Sequence, residues 1–227
     1  GDAGASAVLV IATDDALWSQ LQNAVGGKAT RLASAKQGAP VTGFLAPAAA
    51  DALFKKAGQD GAALRESAKS PDYKGAALPA TVDLATTSTI RSYESNNIIA
   101  KLPGAKPDGK AVLFLGHWDH LGICAPDSTT DRICNGAVDN ASGIAVLTAV
   151  AKRLATGARP DRDIYFMATT AEEKGLLGAH YFADHPVVPL TDITAALNTD
   201  TIAISPRRTP VATIGRGKPA YDAVIRD

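Results

Sequence analysis

Residues 111–120 read AVLFLGHWDH, an unbroken apolar run followed by two histidines and an aspartate. A short run without polar residues is typical of a strand that is covered on both faces, as strands are in parallel sheets. Residues 163–168 (DIYFMA) and 193–197 (ITAAL) are further candidate strands, and residues 144–155 show a helix pattern that Gly157 closes. Strands that alternate with helices predict an α/β fold, with a largely parallel mixed sheet flanked by helices.

Polar side chains follow these apolar segments at the points where the strands end. In an open parallel sheet, ligands gather beyond the carboxyl ends of the strands, so side chains that follow several strands are expected to share one site. The side chains predicted to meet there are His117, Asp119, Asp139, Glu172, Glu173 and Asp200.

Five carboxylates belong to this set, and they cannot all stay ionised in one pocket without a cation. Their mutual repulsion would force several to bind protons, at about 1.4 kcal/mol for each pKa unit. Metal ions remove that cost, and imidazole together with carboxylate oxygen suits Zn²⁺. Two zinc ions about 3.5–4 Å apart, with one carboxylate bridging them, would account for this many acids.

Each motif also has a plain structural interpretation when it is taken alone. Glu172 and Glu173 would be stabilising in the first turn of a helix, by about 0.3–1 kcal/mol. Asp139 fits a helix entry, and Asp200 fits a turn that follows a strand. Because the motifs follow one predicted strand after another along the chain, taken together they favour a common metal site.

Four motifs in this order resemble those of the co-catalytic zinc aminopeptidase family: His117-Trp118-Asp119, Asp139-Asn140-Ala141-Ser142-Gly143, Glu172-Glu173 and Asn198-Thr199-Asp200. That family includes bacterial leucyl aminopeptidases, plasma glutamate carboxypeptidase and relatives of the transferrin receptor. The resemblance extends over about residues 96–205. It implies a zinc-dependent exopeptidase, an aminopeptidase that hydrolyses N-terminal residues from peptides, with two zinc ions in each complete active site.

The resemblance also implies a role for each residue. Asp139 would bridge the two zinc ions. His117 and Asp200 would complete one of them, and Glu173 would bind the other.

Two further carboxylates would serve catalysis rather than bind metal. Glu172 would be the general base that takes a proton from a zinc-bound water and hands it to the leaving amine. Asp119 would hold the ring of His117 in place, as carboxylates do behind zinc-bound histidines.

One element of the family pattern finds no match. The family's second zinc ion takes a further histidine from the last part of the catalytic domain, and no segment up to Asp227 resembles it. His180 and His185 are assigned to a helix end, and His120 to a loop, a lid or a supporting hydrogen bond beside the site. We therefore expect the second zinc ion to be one protein ligand short, and this chain alone to bind metal weakly and turn over poorly.

The first part of the chain is rich in Ala and Gly and holds few polar residues typical of sites. Residues 7–12 fit a buried strand and residues 47–57 fit a helix. This part resembles the second half of the protease-associated module that many members of the family carry. We therefore expect a partial module of that kind over residues 1–85 and a partial catalytic domain over residues 86–227.

Composition limits the partners and the compartment. Lys plus Arg and Asp plus Glu each number 23, and the resulting zero net charge does not indicate binding to nucleic acid. No apolar run approaches the roughly 18 residues of a membrane span, and no signal peptide is visible at the start of the chain. Cys124 and Cys134 form either a disulfide or two free thiols. A disulfide, together with the family's habit of export, predicts a periplasmic or secreted protein that acts on peptides.

Three other functions compete with the aminopeptidase. A related carboxypeptidase or dipeptidase would use the same ligands. A receptor-like relative would keep the fold without the chemistry, and the retained ligand set argues against it. A glutaminyl cyclase would carry a different segment around the bridging acid, and residues 139–143 favour the peptidase.

Overall fold

The computed structural model describes residues 4–25, 29–35, 41–85, 87–106, 108–124 and 128–202. Internal contacts divide the chain into two units, Gly1–Glu94 and Ser95–Asp227. The assignment of residues 1–85 to a protease-associated module, with the catalytic domain beginning at residue 86, stays a prediction.

In its described residues, the first unit combines two parallel strands with three helices. Its elements in chain order are β1 (Ala7–Ile11), α1 (Asp15–Val25), β2 (Val41–Leu45), α2 (Pro47–Lys56) and α3 (Gly61–Ser67). β1 and β2 pair in parallel. The carboxylate of Asp14 accepts a hydrogen bond from the Leu17 N–H at 2.8 Å, and that of Asp60 accepts from the Ala62 N–H at 2.9 Å, so acids cap α1 and α3.

The second unit alternates strands and helices, as predicted. Its elements are β3 (Ile98–Leu102), β4 (Ala111–His117), β5 (Gly122–Ile123), β6 (Ile133–Cys134), an irregular helical segment (Ala137–Ser142), α4 (Gly143–Thr156), β7 (Asp163–Thr169), α5 (Leu177–Asp184), a 3-10 turn (Leu190–Asp192) and β8 (Ile193–Asn198). None of the helices in the described part of the chain is long and apolar enough to cross a bilayer.

One sheet organises this unit, with the strands in the order β3-β7-β4-β8. β4 pairs in parallel with both β7 and β8, whereas β3 is antiparallel to β7. The sheet is therefore mixed and mostly parallel, which confirms the predicted fold class.

Alternate residues of the two central strands pack into two clusters. Leu113 and Met167 contact Phe182 of α5 in one cluster. Phe166 contacts Leu147 of α4 in the other. Because successive side chains of a strand point to opposite faces, α4 and α5 cover opposite faces of the sheet. Helices on both faces were predicted, and this arrangement leaves the carboxyl ends of the strands free for a site.

A small hairpin leaves the sheet after β4 and returns just before the irregular helical segment. β5 and β6 pair antiparallel, with Gly122 opposite Cys134. Cys124 and Cys134 form a disulfide across this hairpin, so the paired alternative of the sequence analysis is confirmed. The hairpin therefore holds its two ends, near residues 120 and 136, close together.

Candidate metal centre

The candidate site lies where three parallel strands end. β4 ends at His117, whose side chain is 2% exposed. The register places His117 opposite Thr169, the last residue of β7. β8 ends at Asn198, just before Asp200. The strand ends therefore open onto one edge of the sheet, which is where ligands bind in open α/β sheets.

Three of the predicted ligands form a first group around the ring of His117. Its Nε2 atom lies 3.0 Å from Oδ1 of Asp139 and 3.4 Å from Oδ1 of Asp200. One ligand atom from each of these residues lies within 4.8 Å of the others, a spacing that a single metal ion can bridge. Oε2 of Glu172 follows at 3.8 Å from the same Nε2 atom.

A second group shares Asp139 with the first and contains a residue that the sequence analysis left outside the ligand set. Ligand atoms of His120, Asp139 and Glu173 also lie within 4.8 Å of one another. Nδ1 of His120 lies 2.6 Å from Oε1 of Glu173. Asp139 therefore occupies the position between two groups that the bridging role requires, and His120 lies beside the second.

Four buried atoms in these groups have no hydrogen-bond partner among the described residues: Nε2 of His117, Nδ1 of His120, Oδ1 of Asp139 and Oε1 of Glu173. Buried polar atoms in folded proteins nearly always have a partner. These atoms belong to residue types that bind Zn²⁺, and they converge on one another. The donor set therefore fits metal ions.

The rest of the site orients these atoms. Nδ1 of His117 lies 2.9 Å from the main-chain oxygen of Asp119, which leaves Nε2 directed at Asp139. The Asp119 carboxylate is 3.8 Å from the same Nδ1. It instead accepts hydrogen bonds from the N–H groups of Glu172 at 3.0 Å and Glu173 at 3.3 Å. The carboxylate that we expected at the ring therefore binds the two glutamate N–H groups, and the Asp119 carbonyl lies at the ring instead.

Asn140 is a functional candidate that the sequence analysis did not single out. Its side chain is buried, with the residue only 2% exposed. Its Nδ2 donates to the Thr199 carbonyl at 2.9 Å, and its Oδ1 accepts from the Gly143 N–H at 3.0 Å. Asn140 thereby ties the segment that carries Asp139 to the segment that carries Asp200.

Gly143 shows how tightly this junction is packed. A Cβ atom there would overlap the Asn140 side chain and lie 2.5 Å from the Thr199 carbonyl oxygen. We expect Gly143→Ala to lower the free energy of unfolding by about 1–3 kcal/mol, because a methyl group does not fit without moving backbone. Urea denaturation measures this. Ala149→Ser adds one atom at an exposed position of the same helix and should change stability by less than about 0.5 kcal/mol. Equal effects of the two variants would contradict the packing described.

The electrostatics of the site favour a bound cation. Burial raises the pKa of the Glu172 carboxyl; the His117 ring opposes this rise, and the carboxylates of Asp200, Glu173 and Asp119 add to it. Burial alone would lower the pKa of His117, but the Asp119 carbonyl and the surrounding carboxylates outweigh it and raise that pKa. Neighbouring carboxylates contribute to both shifts, and a divalent cation would offset their negative charge.

A cleft of about 140 Å³ opens beside His117 and Asp200 of the first ligand group. Its lining combines apolar side chains with site residues: Leu115, His117, Thr169, Glu172, Leu176, Ala179, Asn198 and Asp200. Glu172 and Asp200 are its charged acids, and no Lys or Arg belongs to this described lining. The lining of the cleft therefore combines an apolar part with the carboxylates of Glu172 and Asp200.

Several known proteins are similar to parts of this chain. The vacuolar membrane protease of Lachancea thermotolerans is 36% identical over 107 residues, which is 47% of this chain and 10% of that protein. A protein of Leptosphaeria maculans described as a probable zinc metalloprotease is 31% identical over 134 residues, 56% of this chain and 30% of that protein. The chain thus spans a minor share of the length of these curated relatives.

Two solved structures are also similar in sequence over 46% of this chain. The peptidase M28 precursor from Shewanella amazonensis is 30% identical, with a TM-score of 0.38 and 22% of that chain covered. A Zn-dependent exopeptidase from Parabacteroides distasonis is 27% identical, with a TM-score of 0.38 and 40% of that chain covered.

The sequence profile of Peptidase family M28 matches residues 97–226, which is more than half of the chain and includes every residue of the two ligand groups. This protein belongs to peptidase family M28.

Proposed function

We propose that this chain carries the catalytic centre of an exopeptidase with two zinc ions, and that the enzyme is an aminopeptidase. Four buried ligand atoms that meet around Asp139, and that find no hydrogen-bond partner in the described part of the chain, support this proposal most directly. Membership of a metallopeptidase family and the name of a zinc metalloprotease among the relatives agree with it.

The bound metal and the residues of the site would have separate roles in catalysis. Bound zinc would supply Lewis-acid chemistry, which polarises the scissile carbonyl and lowers the pKa of a water at the site. Glu172 serves as the general base, because its carboxylate borders both the cleft and His117, with 3.8 Å from Oε2 to Nε2. It takes the proton of the attacking water and delivers it to the leaving amine. Asp119 fixes the backbone of Glu172 and Glu173 and so holds this base beside the metal groups.

The size of the cleft supports action at a chain end. Within the described residues the cleft encloses about 140 Å³, which is enough for the side chain of one terminal residue. Leu115, Leu176 and Ala179 offer an apolar wall to the side chain of that residue. We therefore propose a terminal residue with an apolar side chain as the substrate group that enters the cleft.

Charge favours the amino end of the peptide over the carboxyl end. Two Zn²⁺ ions would bring four positive charges to a site with five carboxylates, so the filled site keeps an excess of negative charge. Glu172 and Asp200 in the cleft attract the ammonium group of a free N-terminus, whereas a terminal carboxylate finds no cationic side chain in the described lining.

A matched set of peptides tests this proposal. We expect zinc-loaded protein to hydrolyse a leucine-initiated tripeptide and its C-terminal amide, and to leave the N-acetylated tripeptide intact. Release of the C-terminal residue from the acetylated peptide would establish a carboxypeptidase instead. A protein that binds zinc but cleaves none of the three would favour a receptor-like or binding role.

We also propose that the protein works in an oxidising compartment, periplasmic or extracellular. The disulfide between Cys124 and Cys134 supports this, because such bonds persist outside the reducing cytosol.

A further inference from the structure

We infer that His120 is a ligand of the second metal ion, so that each of the two metal positions has three protein ligands from the described residues. This inference rests on the proposed dinuclear zinc site. It assigns to His120 a role that the motif resemblance does not contain. It also replaces the expectation from the sequence that the second zinc ion lacks a protein ligand and that this chain binds metal weakly and turns over poorly.

The first support is the state of the His120 ring nitrogen. Nδ1 is buried and lies 2.6 Å from Oε1 of Glu173, yet neither atom has a hydrogen-bond partner among the described residues. A histidine that only supported Glu173 would donate a well-directed hydrogen bond to it. Here the two buried atoms lie close together without such a hydrogen bond, so both remain available to a cation.

The second support is the composition of the two groups. His117, Asp139 and Asp200 make one group, and His120, Asp139 and Glu173 make the other. Each contains one imidazole, one carboxylate of its own and the shared Asp139. Three protein ligands with a remaining open position is the usual arrangement at catalytic zinc.

The third support is the backbone that holds His120. A Cβ atom at Gly136 would lie 2.9 Å from Cβ and 3.0 Å from Cγ of His120, and Gly136 itself has a φ of +66°. Only glycine suits this conformation and this approach. Gly136 begins the turn that delivers Asp139, so His120 is packed against the same turn as the shared ligand.

The β5–β6 hairpin, which lies between His120 and Gly136, further restrains the position of His120. β5 follows His120, β6 precedes Gly136, and Gly122 pairs with Cys134 at the base of the hairpin. The Cys124–Cys134 disulfide closes the same hairpin. His120 is therefore held at a fixed distance from Asp139 by local covalent and hydrogen-bonded structure, which is what a preorganised ligand requires.

Cadmium NMR on the intact 227-residue chain tests the assignment directly. The protein is loaded with two equivalents of ¹¹³Cd²⁺, and through-bond correlations are recorded between cadmium and the carbon-bound protons of the imidazole rings. We expect two cadmium resonances, one coupled to the ring of His117 and the other to the ring of His120. His120→Ala identifies the second coupling, and His180→Ala, an exposed histidine on α5, is the matched control.

Zinc affinity provides the second readout. We expect His120→Ala to weaken the second zinc by more than about 100-fold and His180→Ala to leave it unchanged, because loss of a residue that merely supports a ligand costs about 10–100-fold. Two bound cadmium ions with coupling to His117 alone would overturn the inference and leave the dinuclear site standing. Failure of the unaltered chain to bind either metal would refute the proposed zinc site itself, and the inference with it.

Discussion

Replacing Glu172 with glutamine is expected to lower kcat by about 10²–10⁴-fold while zinc content stays at the level of the unaltered protein. The Glu172 carboxylate lines the cleft and belongs to neither ligand group, so its loss removes a proton acceptor rather than a ligand. Glutamine keeps the shape of the side chain and cannot accept the proton. Steady-state kinetics and elemental analysis of the same preparation measure the two quantities.

The neighbouring residue is a matched control for this prediction. Glu173→Gln changes the same functional group one position along the same loop, and both backbone N–H groups bind Asp119. Because Glu173 belongs to the second ligand group, we expect this variant to lose zinc together with activity. The opposite pattern, with zinc lost in Glu172→Gln and kept in Glu173→Gln, would mean that base and ligand are exchanged.

Asp139→Ala is expected to have the largest effect on metal binding, with both zinc ions lost. Asp139 is the member common to the two ligand groups, and its Oδ1 lies 3.0 Å from Nε2 of His117. Every other single ligand substitution should spare the ion to which that residue does not bind. Zinc titration by calorimetry measures the affinities, and we expect a loss well beyond the roughly 10–100-fold that follows removal of a supporting residue.

Stability measurements separate loss of metal from loss of fold in this variant. Zinc that binds only the folded state stabilises it, so added zinc should raise the Tm of the unaltered chain and not that of Asp139→Ala. Without zinc the variant should be at least as stable as the unaltered chain, because one of several crowded carboxylates is gone. Asp184→Ala, at the exposed end of α5, should respond to zinc as the unaltered chain does. One zinc ion retained at full affinity in Asp139→Ala would show that this residue does not bridge.

The central elements of the fold could be predicted because their sequences are decisive locally. β4 and β7 are apolar on both faces, and α4 follows a glycine-rich entry and ends before Gly157. β2 and α3 were not predicted. β2 contains Gly43 and gains its strand character by pairing with β1, and α3 depends on the Asp60 cap. The pairing of β2 joins segments distant in sequence, whereas the Asp60 cap is local and could have been identified as a helix start.

The β5–β6 hairpin was missed for a related reason. Each strand has only two residues, and the disulfide supplies constraint that hydrophobic patterning does not reveal. Strands this short carry no recognisable alternation.

Some residues of the candidate site could likewise be predicted from the sequence and others could not. The residues at strand ends, such as His117 and Asp200, follow from chain order because parallel strands deliver their carboxyl ends to one edge. The partners of Asp119 and the position of His120 depend on how loops turn after the strands. Asn140 is buried between Thr199 and Gly143, and those contacts join segments distant in sequence. From the sequence, His120 could have been identified as a ligand candidate only because it is a histidine three residues after the predicted ligand His117.

The most direct test of the account is the number of zinc ions bound to the 227-residue chain after loosely held metal has been dialysed away, measured by elemental analysis against protein concentration. The two ligand groups, with His120 completing the second, predict a value close to two per chain. A value of one would contradict the assignment of a complete second position, and a value near zero would contradict the metal centre as a whole.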